Sequence, residues 1–153
     1  MIDTEKIHLV EYESRYGPAT VRMWRDSKAR ALGVEEIYSY AEQLEFLQEV
    51  LVRENSTFLA IPESGEEVLG FMATDGKFLN QLYIHVDFQC IGIGSRLLQL
   101  AKELSPGALK LYTFEINTGA RAFYEKHGFK ILARGCDNEE QLHDILYEWR
   151  KHD

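Results

Sequence analysis

Apolar positions with strand-like or helix-like spacing divide the first half of the chain into three short strands and two helices. Alternation over Ile7 to Glu11 predicts a strand, and helical spacing predicts helices from Pro18 to Gly33 and from about Glu35 to Arg53. Two apolar runs, 57–61 and 68–73, flank a turn rich in Pro, Gly and Glu and predict an antiparallel hairpin. The predicted buried stripe of the second helix is Ile37, Tyr40, Ala41, Leu44, Leu47, Val50 and Leu51.

Strand-like and helix-like segments alternate in the second half. Asp75-Gly76 marks a turn, and a helical crossover separates the next two strands, so these strands are expected to run parallel. The pattern predicts one mixed α/β domain over residues 1–153. The predicted segments are a strand over 80–84, a helix over about 93–104, a strand over 109–116, a helix from Asn117 to Gly128, a strand over 129–133 and a final strand-like run over 142–149.

The segment from Asn80 to Leu100 combines a strand, a turn with two glycines and a helix. Gly92 and Gly94 allow the backbone to approach a ligand closely. The first N–H groups of the helix have no partner within it and carry a partial positive charge, so the turn suits an anion such as a phosphate. A dinucleotide-binding loop is excluded because Leu97 stands in place of its third glycine, and a Walker loop because Ser95-Arg96 follows Gly94.

Two motifs carry a resemblance to a known family. Gln89-x-x-Gly92-x-Gly94, between a strand and a helix, resembles the acetyl-CoA loop of the GNAT family of N-acetyltransferases. A second block, one helix and one strand further on, matches the next motif of that family at Asn117, Ala120, Phe123, Tyr124, Gly128 and Phe129. The likeness covers roughly residues 58–149. It implies a mixed α+β, GNAT-like fold: a single mixed sheet with an antiparallel N-terminal meander, a central parallel strand pair splayed around the cofactor, and helices on both faces.

The resemblance implies a role for each matched residue. The backbone of the strand at residues 82–84 would pair with the pantetheine arm of acetyl-CoA, and an N–H there would stabilise the oxyanion that forms on attack. Tyr124 would be the general acid that protonates the departing CoA thiolate, because a phenol with a pKa of about 10 is protonated at neutral pH. Asn117 would bind the pantetheine arm, cap the helix, or do both. The implied cofactor-binding residues are Leu82, Tyr83, Ile84, Gln89, Cys90, Ile91, Gly92, Ile93, Gly94, Ser95, Asn117 and Tyr124.

The cofactor loop departs from the family pattern at two positions. Cys90 and Ile91 stand where the family often has glycine or basic residues, so part of the charge that would neutralise the diphosphate is missing. Arg96 either compensates for that loss or is a solvated residue of the first helical turn. Cys90 has no matched His and Asn or Asp partners, so a plain thiol is favoured over a nucleophile.

The general base is the least defined part of the predicted site. An attacking amine must lose a proton, but the position that carries a glutamate in some family members is Tyr112 here. Glu115 is the nearby carboxylate and shares a strand face with Asn117, so Glu115 and Tyr124 are the predicted catalytic residues. Asn80 and His85 are alternative bases, and a solvated surface acid remains an alternative for Glu115.

Composition and charge exclude several classes of partner. The net charge of −8 argues against a nucleic acid, and no run of 18 apolar residues predicts a membrane span. The N-terminus lacks the pattern of a signal peptide, so a cytoplasmic protein with reduced Cys90 and Cys136 is expected. No His/Cys cluster has metal-ligand spacing, so no metal is expected.

The C-terminal segment resembles a bacterial subgroup of the family. Its acids would line an acceptor site for an amine or form a turn, and the matching residues are Asn138, Glu139, Glu140, Asp144, Tyr147 and Trp149. The predicted function is transfer of an acetyl group from acetyl-CoA to a primary amine by direct attack. The acceptor would be a small molecule or a peptide or protein amine, and a homodimer is compatible with the resemblance. The alternative is a non-catalytic acyl-CoA-binding sensor or structural domain with the same fold.

Overall fold

The computed structural model describes residues 6–33, 36–63, 65 and 67–152, which form seven strands and five helices. The strands are β1 (Ile7–Glu11), β2 (Ser56–Pro62), β3 (Gly70–Thr74), β4 (Leu79–Ile84), β5 (Ala108–Phe114), β6 (Lys130–Gly135) and β7 (Asp144–Arg150). The helices are α1 (Gly17–Leu32), α2 (Tyr40–Phe46), α3 (Val52–Glu54), α4 (Ile93–Leu104) and α5 (Thr118–Lys126). The predicted elements are therefore present, and the strand-like run predicted over 142–149 is β7.

The first four strands form an antiparallel meander in the order β1-β2-β3-β4, as the hairpin signals predict. Gly70 lies opposite Ile84 in the last pair, and Ser56 lies opposite Thr74 in the pair before it. β3 is buried along its whole length because strands flank it on both sides and helices cover both of its faces. In the turn between β2 and β3, positions 64 and 66 lie outside the described residues.

The last three strands form a separate antiparallel sheet in the order β5-β7-β6, so the expectation of a single continuous sheet is wrong. Within the described ranges the two sheets meet at one parallel bridge, between Phe78 and Lys110, where the Lys110 N–H donates to the Lys77 carbonyl at 2.9 Å. Beyond that bridge β4 and β5 diverge. The parallel direction and the splay of these two strands are confirmed, and the splay itself is what separates the sheet into two.

Helices cover both faces of the meander, which confirms the layered mixed α+β fold. On one face α4 and α5 bury an apolar cluster that includes Leu97, Leu98 and Tyr147. On the other face α1 and the helical segment after Ser39 bury a cluster around Trp24 and Phe71. Each fully buried leucine contributes about 2 kcal/mol through removal of its side chain from water.

The second helical segment differs from its prediction in both start and buried face. It begins at Tyr40, where the Ser39 side chain caps the helix, whereas the predicted start at Glu35 lies outside the described residues. A π turn at Leu47–Leu51 joins α2 to α3 and adds a residue to one turn, which rotates the later side chains. The predicted stripe is only partly buried: Leu47 and Leu51 are buried and Leu44 is half-buried, whereas Val50 in the π turn and Ile37, Tyr40 and Ala41 before it are exposed.

Two kinds of feature are absent from the part of the chain that the structure describes. None of its helices has the length and apolar character needed to cross a lipid bilayer. No three or more of its His, Cys, Asp and Glu side chains are grouped as metal ligands would be. Cys90 and Cys136 are both free and exposed.

Candidate active site

β4 turns part of its backbone away from β3 and toward the gap beside β5. The His85 N–H donates to the Leu69 carbonyl at 2.8 Å, and hydrogen-bonded pairs alternate along an antiparallel ladder. Tyr83 therefore pairs with β3, whereas the backbone groups of Leu82 and Ile84 point to the gap. Of the three residues predicted to offer backbone groups to a ligand, Leu82 and Ile84 face the gap, but the backbone of Tyr83 is engaged in the sheet.

The carbonyl at the end of this open edge already has partners. The Ser27 hydroxyl donates to the Ile84 carbonyl at 3.0 Å, and the Gln89 side-chain amide donates to it at 3.3 Å. No described residue bonds the remaining open groups, which are the Ile84 N–H and the N–H and carbonyl of Leu82. The Gln89 side chain thus bonds the end of β4. The predicted contact between Gln89 and a phosphate would have to come from its backbone.

The loop after β4 ends in three N–H groups that bond no described acceptor. Cys90 has a φ of 65° and Gly92 a φ of 94°, so both adopt the left-handed conformation that turns the chain into α4. The Arg96 N–H donates to the Gly92 carbonyl at 3.1 Å, so this bond closes the first turn of the helix. The N–H groups of residues 93–95 precede that bond and stand at the positive end of a helix of 12 residues. The glycine pattern predicts an anion cradle at this position, and these three N–H groups are the donors that such a cradle would use.

The side chains around the cradle connect it to other elements. Arg96 donates from its guanidinium to the Ile7 carbonyl at 3.0 Å, so it joins α4 to β1. Gly94 packs closely against α5: a Cβ at this position would lie 3.3 Å from the Phe123 ring. Cys90 and Ile91 are exposed beside the cradle.

Tyr124 is buried in α5, with 7% of its surface exposed, and its ring contacts the rings of Phe123, Phe129 and Tyr147. No described residue lies within hydrogen-bond distance of its hydroxyl. Burial, with a smaller contribution from Tyr83, raises the pKa of Tyr124 above the ordinary value of a phenol. The side chain therefore keeps its proton at neutral pH, as a general acid must.

Asn117 has the predicted capping role at the corner between β5 and α5. Its side-chain oxygen accepts a hydrogen bond from the Ala120 N–H at 3.1 Å. The residue also lines a cavity of about 640 Å³ at the gap between β4 and β5. The cavity extends from this corner to the end of α1 and to the loop between β6 and β7; Leu32, Tyr83, Asp137 and Asp144 contribute to its wall. Because side chains alternate along β4 and that of Tyr83 lines the cavity, an acceptor that entered the cavity would approach β4 on the face opposite the side chains of Leu82 and Ile84.

The C-terminal acids hold the loop between β6 and β7 against the N-terminal helices. Glu140 accepts a hydrogen bond from Lys28 at 2.9 Å, and Glu139 accepts one from the Tyr38 hydroxyl at 2.6 Å. Asn138 donates to Asp144 at 3.0 Å within the same loop. Of the two interpretations of these acids, the structure supports the turn for Glu139 and Glu140, whereas Asp144 both braces the loop and faces the cavity.

Lys28 forms an ion pair with Glu36 at 3.5 Å as well as with Glu140 at 2.9 Å, and their side chains are 16%, 8% and 18% exposed. Burial alone would lower the pKa of Lys28, but its hydrogen bond to Glu140 and the attraction of the nearby anionic groups raise it. Replacing Lys28 with methionine keeps the aliphatic stem and leaves two poorly solvated carboxylates without a cation. We expect Lys28→Met to lower the free energy of unfolding by about 2 kcal/mol in chemical denaturation.

Arg30 provides the matched control for that measurement, because its pair with Asp26 spans 3.7 Å on an exposed surface. Arg30→Met is expected to change the free energy of unfolding by no more than about 0.5 kcal/mol. Equal losses in the two variants would contradict a special contribution from the Lys28 cluster.

The predicted base lies outside the cavity wall. Glu115 follows β5, keeps 44% of its side chain exposed, and pairs with Arg134 at 3.0 Å. Arg134 lines the cavity, whereas Glu115 does not. Tyr112, where some relatives have a glutamate, lines the cavity and stacks on Phe78.

The alternative bases are also bound elsewhere. Asn80 donates to Asn55 at 2.8 Å, and His85 accepts from the Asp87 N–H at 3.1 Å through Nδ1. The structure therefore brings the cradle, the open edge of β4 and Asn117 together around one gap, with Tyr124 buried in the adjoining helix. It does not place any of the three predicted bases in the cavity wall.

Sequence reasoning missed Ser27 and the side-chain role of Lys28. Ser27 is 4% exposed, and its hydroxyl binds the end of β4. The sequence did carry a signal for Ser27, because it lies on the same helical face as the apolar Val21 and Trp24. A serine on a buried face needs a hydrogen-bond partner elsewhere in the fold. Lys28 has helical spacing with Val21 and Trp24, and a lysine on the buried side of a helix indicates a charge that needs a counter-ion.

Comparison with known proteins agrees with this geometry. Residues 53–131, just over half of the chain, match the acetyltransferase (GNAT) domain family. A peptidyl-lysine N-acetyltransferase, YjaB from Salmonella typhimurium, is 36% identical over 96 residues, which cover 63% of this chain and 65% of the relative. The aligned segment thus spans less than two thirds of that relative.

Two solved structures show the same fold. The apo form of YjaB from Escherichia coli has a TM-score of 0.76 at 23% identity and covers 94% of this chain and 97% of its own. PaiA N-acetyltransferase from Thermoplasma acidophilum, solved with coenzyme A, has a TM-score of 0.71 at 18% identity and covers 94% of this chain and 98% of its own. With the family match and the shared fold together, the chain belongs to the acetyltransferase (GNAT) family.

Proposed function

We propose that this protein transfers an acetyl group from acetyl-CoA to a primary amine. The observation that carries the proposal is the continuous run of unpaired backbone groups, from the open edge of β4 to the three N–H groups at the start of α4. The cradle fits a diphosphate, and the strand edge fits the amides of a pantetheine arm. The structure of PaiA with coenzyme A supports this choice of cofactor.

In the proposed mechanism each group of the chain has one task. Acetyl-CoA supplies an activated acetyl thioester, and the Leu82 and Ile84 edge orients it. A backbone N–H of that edge stabilises the negative charge that develops on the thioester oxygen. The amine attacks directly from the cavity and gives up a proton to the base, for which we propose Glu115 acting through water, because Glu115 lies outside the cavity wall. Tyr124 donates its proton to the departing sulfur, so the enzyme forms no covalent bond with the acetyl group.

We propose a lysine side chain of a peptide or protein as the acceptor. YjaB, the relative at 36% identity, is named a peptidyl-lysine N-acetyltransferase. Asp137 and Asp144 in the cavity wall would attract an ammonium group, and the net charge of −8 would favour approach of a cation.

A thiol-release assay with acetyl-CoA tests this function. Lysine-containing peptides are compared with polyamines, aminoglycosides, free amino acids and peptides whose only amine is the N-terminus, and mass spectrometry locates the acetyl group. We expect acetyl transfer to the lysine side chain. Binding of acetyl-CoA without thiol release for any amine would instead support the non-catalytic sensor, and transfer only to a small amine would contradict the lysine acceptor.

Glu115 remains our proposed base, and its test is a pH–rate profile. Glu115→Gln keeps the shape of the side chain and removes its basicity, so kcat/KM should fall most at low pH, where little free amine is available. The rate should recover as pH rises. Arg134→Met is the matched control, because it breaks the same 3.0 Å ion pair but keeps the carboxylate. Superimposable profiles for the wild type and Glu115→Gln would remove Glu115 from the mechanism.

A further inference from the structure

A serine and a histidine connect the start of α4 to the end of α5. The Ser95 hydroxyl and the His127 Nε2 are 3.1 Å apart in a partly buried contact. The Phe123 ring lies 4.6 Å from the His127 ring and also packs against Gly94. Ser95, which follows Gly94, is therefore in contact with a titratable side chain, that of His127 at the end of α5.

Ser95 belongs to the cradle as well as to this pair. Its N–H is one of the three unpaired groups at the start of α4, so a phosphate bound there would lie next to its hydroxyl. A hydroxyl has one hydrogen to donate and can also accept. If that hydrogen is donated to an anion, the contact with His127 requires an N–H on Nε2.

The surroundings of His127 favour its neutral form in the free protein. Burial, followed by the repulsion from Lys102 and Lys126, lowers its pKa below the ordinary value of a histidine. Lys102 faces it from α4 and donates to its backbone carbonyl at 2.8 Å, and Lys126 adjoins it on α5. Trp149, which approaches from β7 over Lys102, is uncharged. An anion bound nearby would favour the protonated ring.

We propose that His127 is a positioning residue for the cofactor diphosphate and that, acting through Ser95, it makes cofactor binding tighter at lower pH. The inference rests on the proposed cradle. With the cradle empty, the neutral ring accepts from Ser95 or donates to it. With a diphosphate bound, Ser95 donates to the anion and the Nε2–H of His127 donates to Ser95. The negative charge nearby favours the imidazolium over the neutral Nε2–H tautomer, so binding takes up a proton from solution.

The sign of the pH dependence follows from this proton uptake. The diphosphate raises the pKa of His127 in the complex, whereas the nearby lysines and burial keep it low in the free protein. Affinity therefore rises as pH falls through the bound pKa, and it levels off below the free pKa. Each unit of difference between the two pKa values corresponds to about a tenfold change in Kd.

Calorimetry with dephospho-CoA from about pH 8.5 to about pH 5.5 measures this effect. The probe lacks the phosphate monoester, whose own ionisation near pKa ~6 would add a second pH dependence. We expect the Kd of the wild type to fall about three- to tenfold over this range. His127→Gln retains a hydrogen-bond donor but does not titrate, so its Kd should be nearly constant. An equal slope in His127→Gln would overturn the inference.

NMR titration of His127 in the wild type gives a second readout that needs no variant at the ring. The pKa of His127 should rise when dephospho-CoA is added, and Ser95→Ala should reduce both that rise and the affinity. An unchanged His127 pKa on saturation would overturn the proposal, and so would additive effects of Ser95→Ala and His127→Gln in a double-mutant cycle.

Gly94→Asp separates this inference from the proposed function. If Gly94→Asp loses dephospho-CoA while His127 does not respond to the ligand, the cradle stands and only the role of His127 fails. If the wild type does not bind the probe, or Gly94→Asp binds it as the wild type does, the cradle and the role of His127 fail together.

Discussion

Tyr124→Phe is expected to lower kcat by about 10²–10⁴-fold while the Kd for acetyl-CoA stays nearly constant. The substitution removes only the hydroxyl, and that hydroxyl bonds no described residue in the free protein, so the fold should lose little. Without the proton donor, the thiolate must leave as an anion. Pre-steady-state kinetics, which separate chemistry from product release, measure the loss.

Tyr147→Phe is the matched control, because this buried tyrosine neighbours Tyr124 but donates to Glu125 at 2.6 Å. It should lower the free energy of unfolding by about 2 kcal/mol, because the hydroxyl both donates to Glu125 and accepts from Arg121 at 3.3 Å, and it should leave kcat within a few fold. A loss below about threefold in Tyr124→Phe, with chemistry rate-limiting, would remove Tyr124 from the acid role.

The pH dependence of the wild type gives further evidence on the same residue. Burial raises the pKa of Tyr124, so this group stays protonated across the neutral range and into the alkaline range. The rate should therefore show no alkaline decline from loss of this proton below about pH 10, the ordinary pKa of a phenol. A decline that disappears in Tyr124→Phe would contradict the raised pKa.

The second large effect is expected at the cradle. Gly94→Asp should weaken acetyl-CoA binding by at least about a hundredfold, because it adds a negative charge beside the diphosphate site at the positive end of α4. It also adds a side chain where a Cβ would lie 3.3 Å from the Phe123 ring. Calorimetry on folded protein is the measurement, and the far-UV spectrum verifies the fold.

Two variants separate charge from bulk at this position. Gly94→Ala adds only the Cβ, so a much smaller loss would assign most of the effect to charge. Gln99→Asp places the same charge on an exposed part of α4 beyond the cradle and should change Kd by less than about twofold. Unchanged affinity in Gly94→Asp would contradict the cradle.

Features set by local spacing were predicted well from the sequence. Asn117 was predicted to cap a helix and does so, because a cap depends on residues within three positions. The helix predicted from Pro18 to Gly33 is α1 (Gly17–Leu32), and Gly33 caps its C-terminus. The family resemblance is confirmed for the same reason, since its two motifs are short and their spacing follows from one helix and one strand.

Features set by contacts between distant segments were not predictable in this way. Arg96 binds the carbonyl of Ile7, 89 positions away, and no local pattern indicates that partner. The same holds for Lys28 and Glu140, which are 112 positions apart. The splay of β4 from β5 determines whether one sheet or two result, and the roles of Tyr124 and Glu115 stay predictions until tested.

The gap between β4 and β5 leaves backbone groups along the edge of β4 without a neighbouring strand. A shared apolar core packs the two sheets together, but within the described residues their backbones pair at one parallel bridge. A cofactor seated in the gap would add backbone pairing beside β4, as an additional strand does. A ligand that binds only the folded chain stabilises it by about 2.7 kcal/mol at a hundred times its Kd. The lifetime of such a protein in a cell would then depend on the concentration of acetyl-CoA. Stabilisation by the cofactor falls as soon as its concentration falls, even while the site is still nearly saturated, so a shortage would promote unfolding and proteolysis before it slowed catalysis.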